Sequence, residues 1–269
     1  VVYGNNYWNI TFTHHYLSVY IAGSALSPRI FSCLFIACMP IIIRQEKVNI
    51  FDNRENLRLL HISDLHLRFS SRRLDELESI LYSLDPDLVL MTGDYYDIPS
   101  AALLFRQFIE RIASHYTVIF VKGNHDTLWG KKTTQNLIGM YNCHDLDDNS
   151  YIYTSSRGFH YHFTTWKSGK MYQTLNHKEA RIILLHNPEE LKHHSTDNIS
   201  LILAGHLHGG QCIFYTTKNT SHFPGSLLYT YCCDRRTINK TELIVSKGLG
   251  DTLPLRINCP YEVTHIIIT

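Results

Sequence analysis

The sequence predicts an α/β fold built on two sheets and preceded by an apolar N-terminal segment. Three observations predict it. Between residues 57 and 126, short apolar runs alternate with amphipathic helical patterns, which implies parallel β-α-β units. From residue 181 onward, four more apolar runs come with little helical pattern between them, which implies a second sheet. Five of the apolar runs also end in His, Asp or Asn, usually beside a glycine.

The elements follow in order. "LRLLHIS" (57–63) reads as a buried strand. "SRRLDELESILYSL" (71–84) spaces Leu74, Leu77, Ile80, Leu81 and Leu84 by threes and fours, an amphipathic helix that Asp85-Pro86 stops. "DLVLMTGD" (87–94) is a second strand, and "SAALLFRQFIERI" (100–112) a second helix with Leu104, Phe108, Ile109 and Ile112 along one face. "YTVIFVKGNHD" (116–126) is a third strand. Residues 127–180, rich in Asn, Ser, Tyr and Thr, read as loops with short strands. The later runs cover 181–190, 199–211, 242–250 and 261–269.

Composition narrows the class. Hydrophobic residues make up 44% and charged residues 18% of the chain, enough to bury a sizeable core. Charge is nearly balanced, 25 basic against 24 acidic side chains, so no basic footprint points to nucleic acid. Seven cysteines with no CxxC pair argue against a disulfide framework and for a reducing compartment. The unusual count is 17 histidines, whose positions must decide whether some bind metal.

Residues 16–43 are strongly apolar, but Pro28-Arg29 and Pro40 interrupt them. Neither uninterrupted half reaches the roughly 20 residues of a spanning helix. A partial anchor, an interfacial segment and buried structure are all open readings. Membrane association at a cytoplasmic face, peripheral or anchored, is the expectation carried forward. No basic stretch precedes the apolar one, so no cleavable signal is read. The division is an N-terminal hydrophobic segment and linker over 1–56 and a main domain over 57–269.

The strand ends carry the chemistry. They read Asp64-Leu65-His66, then Gly93-Asp94-Tyr95-Tyr96-Asp97, then Gly123-Asn124-His125-Asp126, then His186-Asn187-Pro188, then Gly205-His206-Leu207-His208-Gly209. In α/β sheets, sites assemble at the carboxyl ends of strands. Strand alternation would aim Asp64 and His66 the same way, and likewise His206 and His208. Ser63 and Leu65 would then face the other way, and His61 would be structural. Imidazoles with carboxylates and a carboxamide suit a divalent ion such as Mn, Fe, Zn or Co. Seven candidate ligands are too many for one ion and about right for two sharing a carboxylate. Asp-x-His is weak alone and Gly-Asp-x-x-Asp is as often a turn; Gly-Asn-His-Asp and Gly-His-x-His-Gly-Gly are rarer and each favours a site, and the ordered set of five argues strongly against coincidence.

This ordered set resembles the calcineurin-like metallophosphoesterase superfamily over residues 57–269. The resemblance implies a four-layer α/β/β/α sandwich with mixed sheets around a dinuclear site. One ion would be held by Asp64, His66, Asp94 and His208, the other by Asp94, Asn124, His186 and His206, with Asp94 bridging. Manganese is the first expectation for both. His125 would protonate the leaving oxygen or stabilise developing charge, Asp126 would orient His125, and Asp97 would support the site without ligating. "GHLHGGQ", "LLHNPE" and "VSKGLGDTLPLRINCPYEV" further resemble the membrane-associated branch. That branch includes a bacterial UDP-2,3-diacylglucosamine pyrophosphatase of lipid A synthesis. It implies cleavage of a phosphorylated lipid or nucleotide-lipid, here to UMP and 2,3-diacylglucosamine 1-phosphate. An Asp-rich turn common in relatives is replaced by "FTTWKSGK" (163–170). A cell-envelope phosphodiesterase, a nucleotide or protein phosphatase, and a non-catalytic scaffold on this fold are the alternatives. Oligomeric state is not read from the sequence.

Overall fold

The computed structural model describes residues 8–13, 16–21, 40–52, 54–68, 72–128, 142–147, 149–166, 175–253 and 255–269, the first two ranges as backbone alone. The chain divides into two compact units, Val1–Met39 and Pro40–Thr269. In the first, β1 (Trp8–Thr13) and β2 (Tyr16–Ile21) form an antiparallel hairpin. Residues 22–39 of the apolar N-terminal segment lie outside the described residues. No helix among the described residues is long and apolar enough to cross a membrane.

The second unit begins before residue 57. β3 (Ile42–Val48) pairs in parallel along β16 (Glu262–Ile268), from Glu262↔Ile42 to Ile268↔Val48. The end of the apolar run at 16–43 thus joins the sheet of the main unit. No turn signal marks this strand, because Arg44, Glu46 and Lys47 break its apolar pattern. Arg44 is matched instead by Asp234 at 2.8 Å and Glu262 at 3.1 Å.

One sheet runs β3-β16-β4-β5-β6-β7, with β4 (Leu57–Ile62), β5 (Leu88–Met91), β6 (Thr117–Phe120) and β7 (Cys143–Asp145) parallel. Two crossover helices serve it, α1 (Arg72–Leu84) and α2 (Ala101–Ala113). α1 buries Leu74, Leu77 and Leu81. It ends where Asp85, at φ 43°, returns its N–H to Leu81 O at 2.9 Å, a left-handed cap. α2 buries Phe105 in place of the expected Leu104, and Phe105 stacks on Tyr95 with centroids 4.6 Å apart.

The other sheet contains β8 (Tyr151–Thr154), β9 (His160–Thr164), β10 (Glu179–Leu184), β11 (Leu201–Ala204), β14 (Arg235–Ile238) and β15 (Thr241–Val245), in the order β14-β15-β11-β10-β9-β8. Its four central strands are parallel and its edges antiparallel. A small hairpin of β12 (Ile213–Thr216) and β13 (His222–Pro224) stands apart.

The sheets face each other across one core. Leu57, Leu59, Leu88, Leu90 and Ile119 of the first meet Phe163, Ile182, Leu184, Leu201, Leu203 and Ile244 of the second. Alternate residues such as Leu60, Val89 and Val118 point away and are also buried, so these strands read as continuous apolar runs. On the far side of the second sheet, Ile183, Ile202 and Leu243 pack with Leu191 of a 3-10 helix, Pro188–His193. Among the described residues, that 3-10 helix stands where the expected fourth layer would carry α-helix.

Candidate metal centre

Five parallel strands deliver their carboxyl ends to one place. β4 leads to Asp64 and His66, β5 to Asp94 and Asp97, and β6 to Asn124 and His125. β10 leads to His186, and β11 to His206 and His208.

Strand alternation does not aim these side chains. β4 stops at Ile62, and Asp64 and His66 sit at φ 51° and 43°. Asp94, His206 and His208 are also left-handed, at 56°, 69° and 48°. Such backbone is uncommon outside glycine, although Asp and His enter it more readily than most residues, and it clusters where a site needs it. The chain at 64–67 is held in place by parallel bonds: Asp64 N–H to Gly93 O and His66 N–H to Asp94 O, each 3.0 Å. Two glycines permit the close approach. A Cβ on Gly123 would lie 2.1 Å from Asp94 Oδ1, and one on Gly205 would lie 1.9 Å from Ser63 Oγ.

Two groups of electron-rich atoms converge. In the first, His66 Nε2 is 3.1 Å from His208 Nε2 and 3.7 Å from Asp94 Oδ2. His208 Nε2 is 3.8 Å from Asp64 Oδ1. In the second, His186 Nε2 is 3.0 Å from Asn124 Oδ1, 3.0 Å from His206 Nδ1 and 3.2 Å from Asp94 Oδ2. One atom, Asp94 Oδ2, faces both groups. Its partner Oδ1 accepts the His125 N–H at 2.9 Å.

The outer ring nitrogens show that a cation fits. His66 Nδ1 faces Asp97 Oδ1 at 2.5 Å, His186 Nδ1 faces Thr92 O at 2.7 Å, and His208 Nδ1 faces Gly250 O at 3.2 Å. A carbonyl only accepts, so Nδ1 of His186 carries the proton and its Nε2 is left as a lone pair. Lone pairs aimed at one another and at carboxylate oxygens repel unless a cation lies between them. A proton answers this in the metal-free protein. Burial would lower the His186 pKa, yet its hydrogen bond and charge interaction with Asp94 raise it to about 9. Burial would raise that of Asp94, yet the same partner holds it well below the usual carboxylate range. Burial dominates at His208 and pushes it down to about 4. The donor set of imidazole, carboxylate and carboxamide is one for divalent transition ions.

Asp126 does not orient His125. Its carboxylate is fully buried and accepts the backbone N–H groups of Asp94 at 2.8 Å, Tyr95 at 2.9 Å and Gly123 at 2.8 Å. It therefore locks the β5 and β6 strand ends together. Burial raises its pKa to about 6 against the pull of those three bonds. The carboxylate beside His125 is Asp97, whose Oδ1 lies 2.9 Å from Nδ1.

Four further residues carried no signal of their own. Leu249 and Gly250 donate their N–H groups to Asp64 O, at 3.1 Å for Leu249. Buried Arg256 donates to Gly250 O and, at 2.8 Å, to Lys247 O, and lies 3.3 Å from His208 Nδ1. The glycines of "KGLG" at a strand end were the available clue to that loop. Exposed Arg68 bonds Asp97 Oδ2 at 2.6 Å.

Residues 57–210, more than half of the chain, match the model of the calcineurin-like phosphoesterase family. The chain belongs to that family. It is 26% identical to an uncharacterized metallophosphoesterase of Campylobacter jejuni, Cj0846, over 82% of this chain and 61% of that one. It is also 26% identical to the phosphodiesterase YaeI of Escherichia coli, over 84% of this chain and 87% of that one. A Danio rerio transmembrane protein with metallophosphoesterase domain is 25% identical over 81% of this chain and 54% of that one. The chain thus spans about three fifths of the length of the Campylobacter relative.

Proposed function

We propose that this protein is a divalent-metal-dependent phosphoester hydrolase that cleaves a phosphodiester or pyrophosphate of a membrane lipid. The observation that carries the hydrolase reading is Asp94 Oδ2, 3.2 Å from His186 and 3.7 Å from His66, facing both ligand groups at once. Two divalent ions held there, manganese first, would polarise a phosphoryl group and acidify water. Asp64, His66, Asp94 and His208 would hold one, and Asp94, Asn124, His186 and His206 the other. The remaining work belongs to the chain. His125 is partly exposed at the edge of the cluster, with Nδ1 anchored by Asp97, so Nε2 can give a proton to the departing oxygen.

The lipid substrate rests on separate support. The apolar stretch at 16–43 and the motif resemblance to the membrane-associated branch favour it. The phosphodiesterase name of the Escherichia coli relative favours a diester, and the transmembrane name of the Danio rerio relative favours a membrane setting. UDP-2,3-diacylglucosamine is the named candidate, supported by the motif resemblance and the apolar stretch. The protein would act at the cytoplasmic face of a membrane.

The test incubates the purified chain and Mn²⁺ with bis(p-nitrophenyl) phosphate and with the UDP-lipid. Diester hydrolysis is expected, and Asp94→Asn is expected to abolish it. Intact hydrolysis in Asp94→Asn overturns the metal centre as its source, and no hydrolysis by the wild-type chain overturns the hydrolase reading. No UMP above a His125→Ala control removes the UDP-lipid and leaves the hydrolase.

A further inference from the structure

Exposed large apolar side chains are unevenly distributed. Among the described residues thirteen large apolar side chains are exposed, and eight of them, including Phe214, Tyr215, Leu227, Leu228, Leu253 and Leu255, come from two segments, 212–230 and 252–258, with Leu227 and Leu228 at 72% and 79%. The other five, such as Leu103 and Leu128, are scattered along the chain. The segments are strapped together. Ile213 N–H donates to Ile257 O at 2.8 Å, and Ile257 N–H donates to Gln211 O at 2.9 Å. The Gln211 side chain donates to Leu253 O at 2.7 Å and to Leu255 O at 3.3 Å.

Both segments are anchored to the metal centre. Gln211 closes the turn that begins at His208, its N–H bonded to His208 O at 2.9 Å. A Cβ on Gly210 of that turn would lie 3.1 Å from Gly225 Cα, so the 212–230 loop folds back against it. The other segment starts just after Asp251, whose carbonyl accepts from Arg68 at 3.3 Å.

Charge on this surface has one sign. Neither segment contains Asp or Glu. Lys218 is exposed, while Arg256 is buried beneath the site and paired with Asp251 at 2.7 Å. Arg68, its side chain 46% exposed, bridges Asp97 beside the metal centre and the Asp251 carbonyl. From the centre outward the order is metal ligands, a guanidinium, then apolar surface. A phospholipid has the same order, with its phosphate inward and its chains outward. Clustered exposed apolar side chains of this kind mark an interaction surface; leucine and aromatic residues suit a lipid interface, and Lys218 and Arg68 with no acid in either segment favour anionic headgroups.

We infer that the 212–230 and 252–258 surface seats on an anionic lipid bilayer, and that Arg68 receives the lipid phosphate beside the metal centre. The seating stands on the surface alone; the delivery of substrate rests on the phosphohydrolase reading above. The test uses the full chain and a Leu227→Ser/Leu228→Ser/Leu253→Ser variant, so the N-terminal segment is common to both. Flotation with vesicles of phosphatidylglycerol and phosphatidylcholine reads the seating. The rate on bis(p-nitrophenyl) phosphate reads the metal centre. The variant is expected to melt at the wild-type temperature, to partition at least about tenfold less to vesicles, and to keep its rate on the soluble ester. Asp94→Asn is expected to float like wild type without hydrolysing anything. Loss of flotation in a chain that hydrolyses no ester upholds the membrane surface while removing the proposed function. Equal flotation of wild type and triple variant overturns the surface. So does a lipid-free dimer on size exclusion that the triple variant abolishes, because a second copy then covers the patch.

Discussion

Oδ1 of Asp97 lies 2.9 Å from Nδ1 of His125 and 2.5 Å from Nδ1 of His66. One carboxylate oxygen thus serves an imidazole in the first ligand group and the imidazole that stands beside it. Their rings meet edge to face, with centroids 4.7 Å apart. Asp97 is itself held ionised. Burial works to raise its pKa, but the hydrogen bond and charge of His66 and those of Arg68 outweigh it and lower it to about 2.

Asp97→Asn is therefore expected to lower kcat about 10–100-fold, since a carboxamide cannot support either imidazole as an anion does. Affinity for Mn²⁺ should fall as well, because Asp97 holds Nδ1 of His66. Unchanged kcat and unchanged Mn²⁺ affinity would make Asp97 structural.

Asp126→Asn should behave differently. Its two oxygens accept three backbone N–H groups, and the amide would turn a donor toward one of them. The expected loss is about 1–3 kcal/mol of stability from the unsatisfied buried groups. Denaturant unfolding measures it. If the midpoint holds while kcat falls, Asp126 acts on His125 after all.

Much of this centre is legible because its ligands are polar residues at the ends of apolar runs, where a packed core has no use for them. Asp64, His66, Asp94 and the three later histidines stand out on that ground. Their aim is not legible. It comes from left-handed backbone at Asp64, His66, Asp94, His206 and His208, which no strand alternation predicts. The roles of Asp97 and Asp126 separate only in three dimensions, since both are acids near a Gly-Asn-His or Gly-Asp motif. β3 stays hidden because Arg44 breaks its apolar pattern and is matched by Glu262 of the neighbouring strand and by Asp234, both far away in sequence.

Metal uptake should release protons. With its pKa raised to about 9, His186 is protonated at pH 7 in the metal-free protein, and a divalent ion must displace that proton. Apparent affinity for Mn²⁺ should therefore rise with pH between 7 and 9 and level off above. Isothermal titration in two buffers of different ionisation enthalpy counts the protons. The expected release at pH 7 is about one per ion bound at the His186 group, and zero release would mean His186 is already neutral.

Acid stability should report His61. This residue is fully buried in β4, with Nε2 2.8 Å from Thr92 Oγ1. Burial first, and the Arg44 charge second, depress its pKa from 6.5 to about 3. The folded protein thus keeps His61 neutral while the unfolded chain takes up its proton. Stability from this residue is complete above pH 6.5 and drains away as pH falls toward 3. Between pH 7 and pH 5 the loss is about 2 kcal/mol. His61→Gln keeps a donor for Thr92 and cannot titrate. Its melting temperature should fall about 4–8 °C less than that of wild type across the same interval. Parallel decline in the two proteins would place the acid sensitivity in other groups.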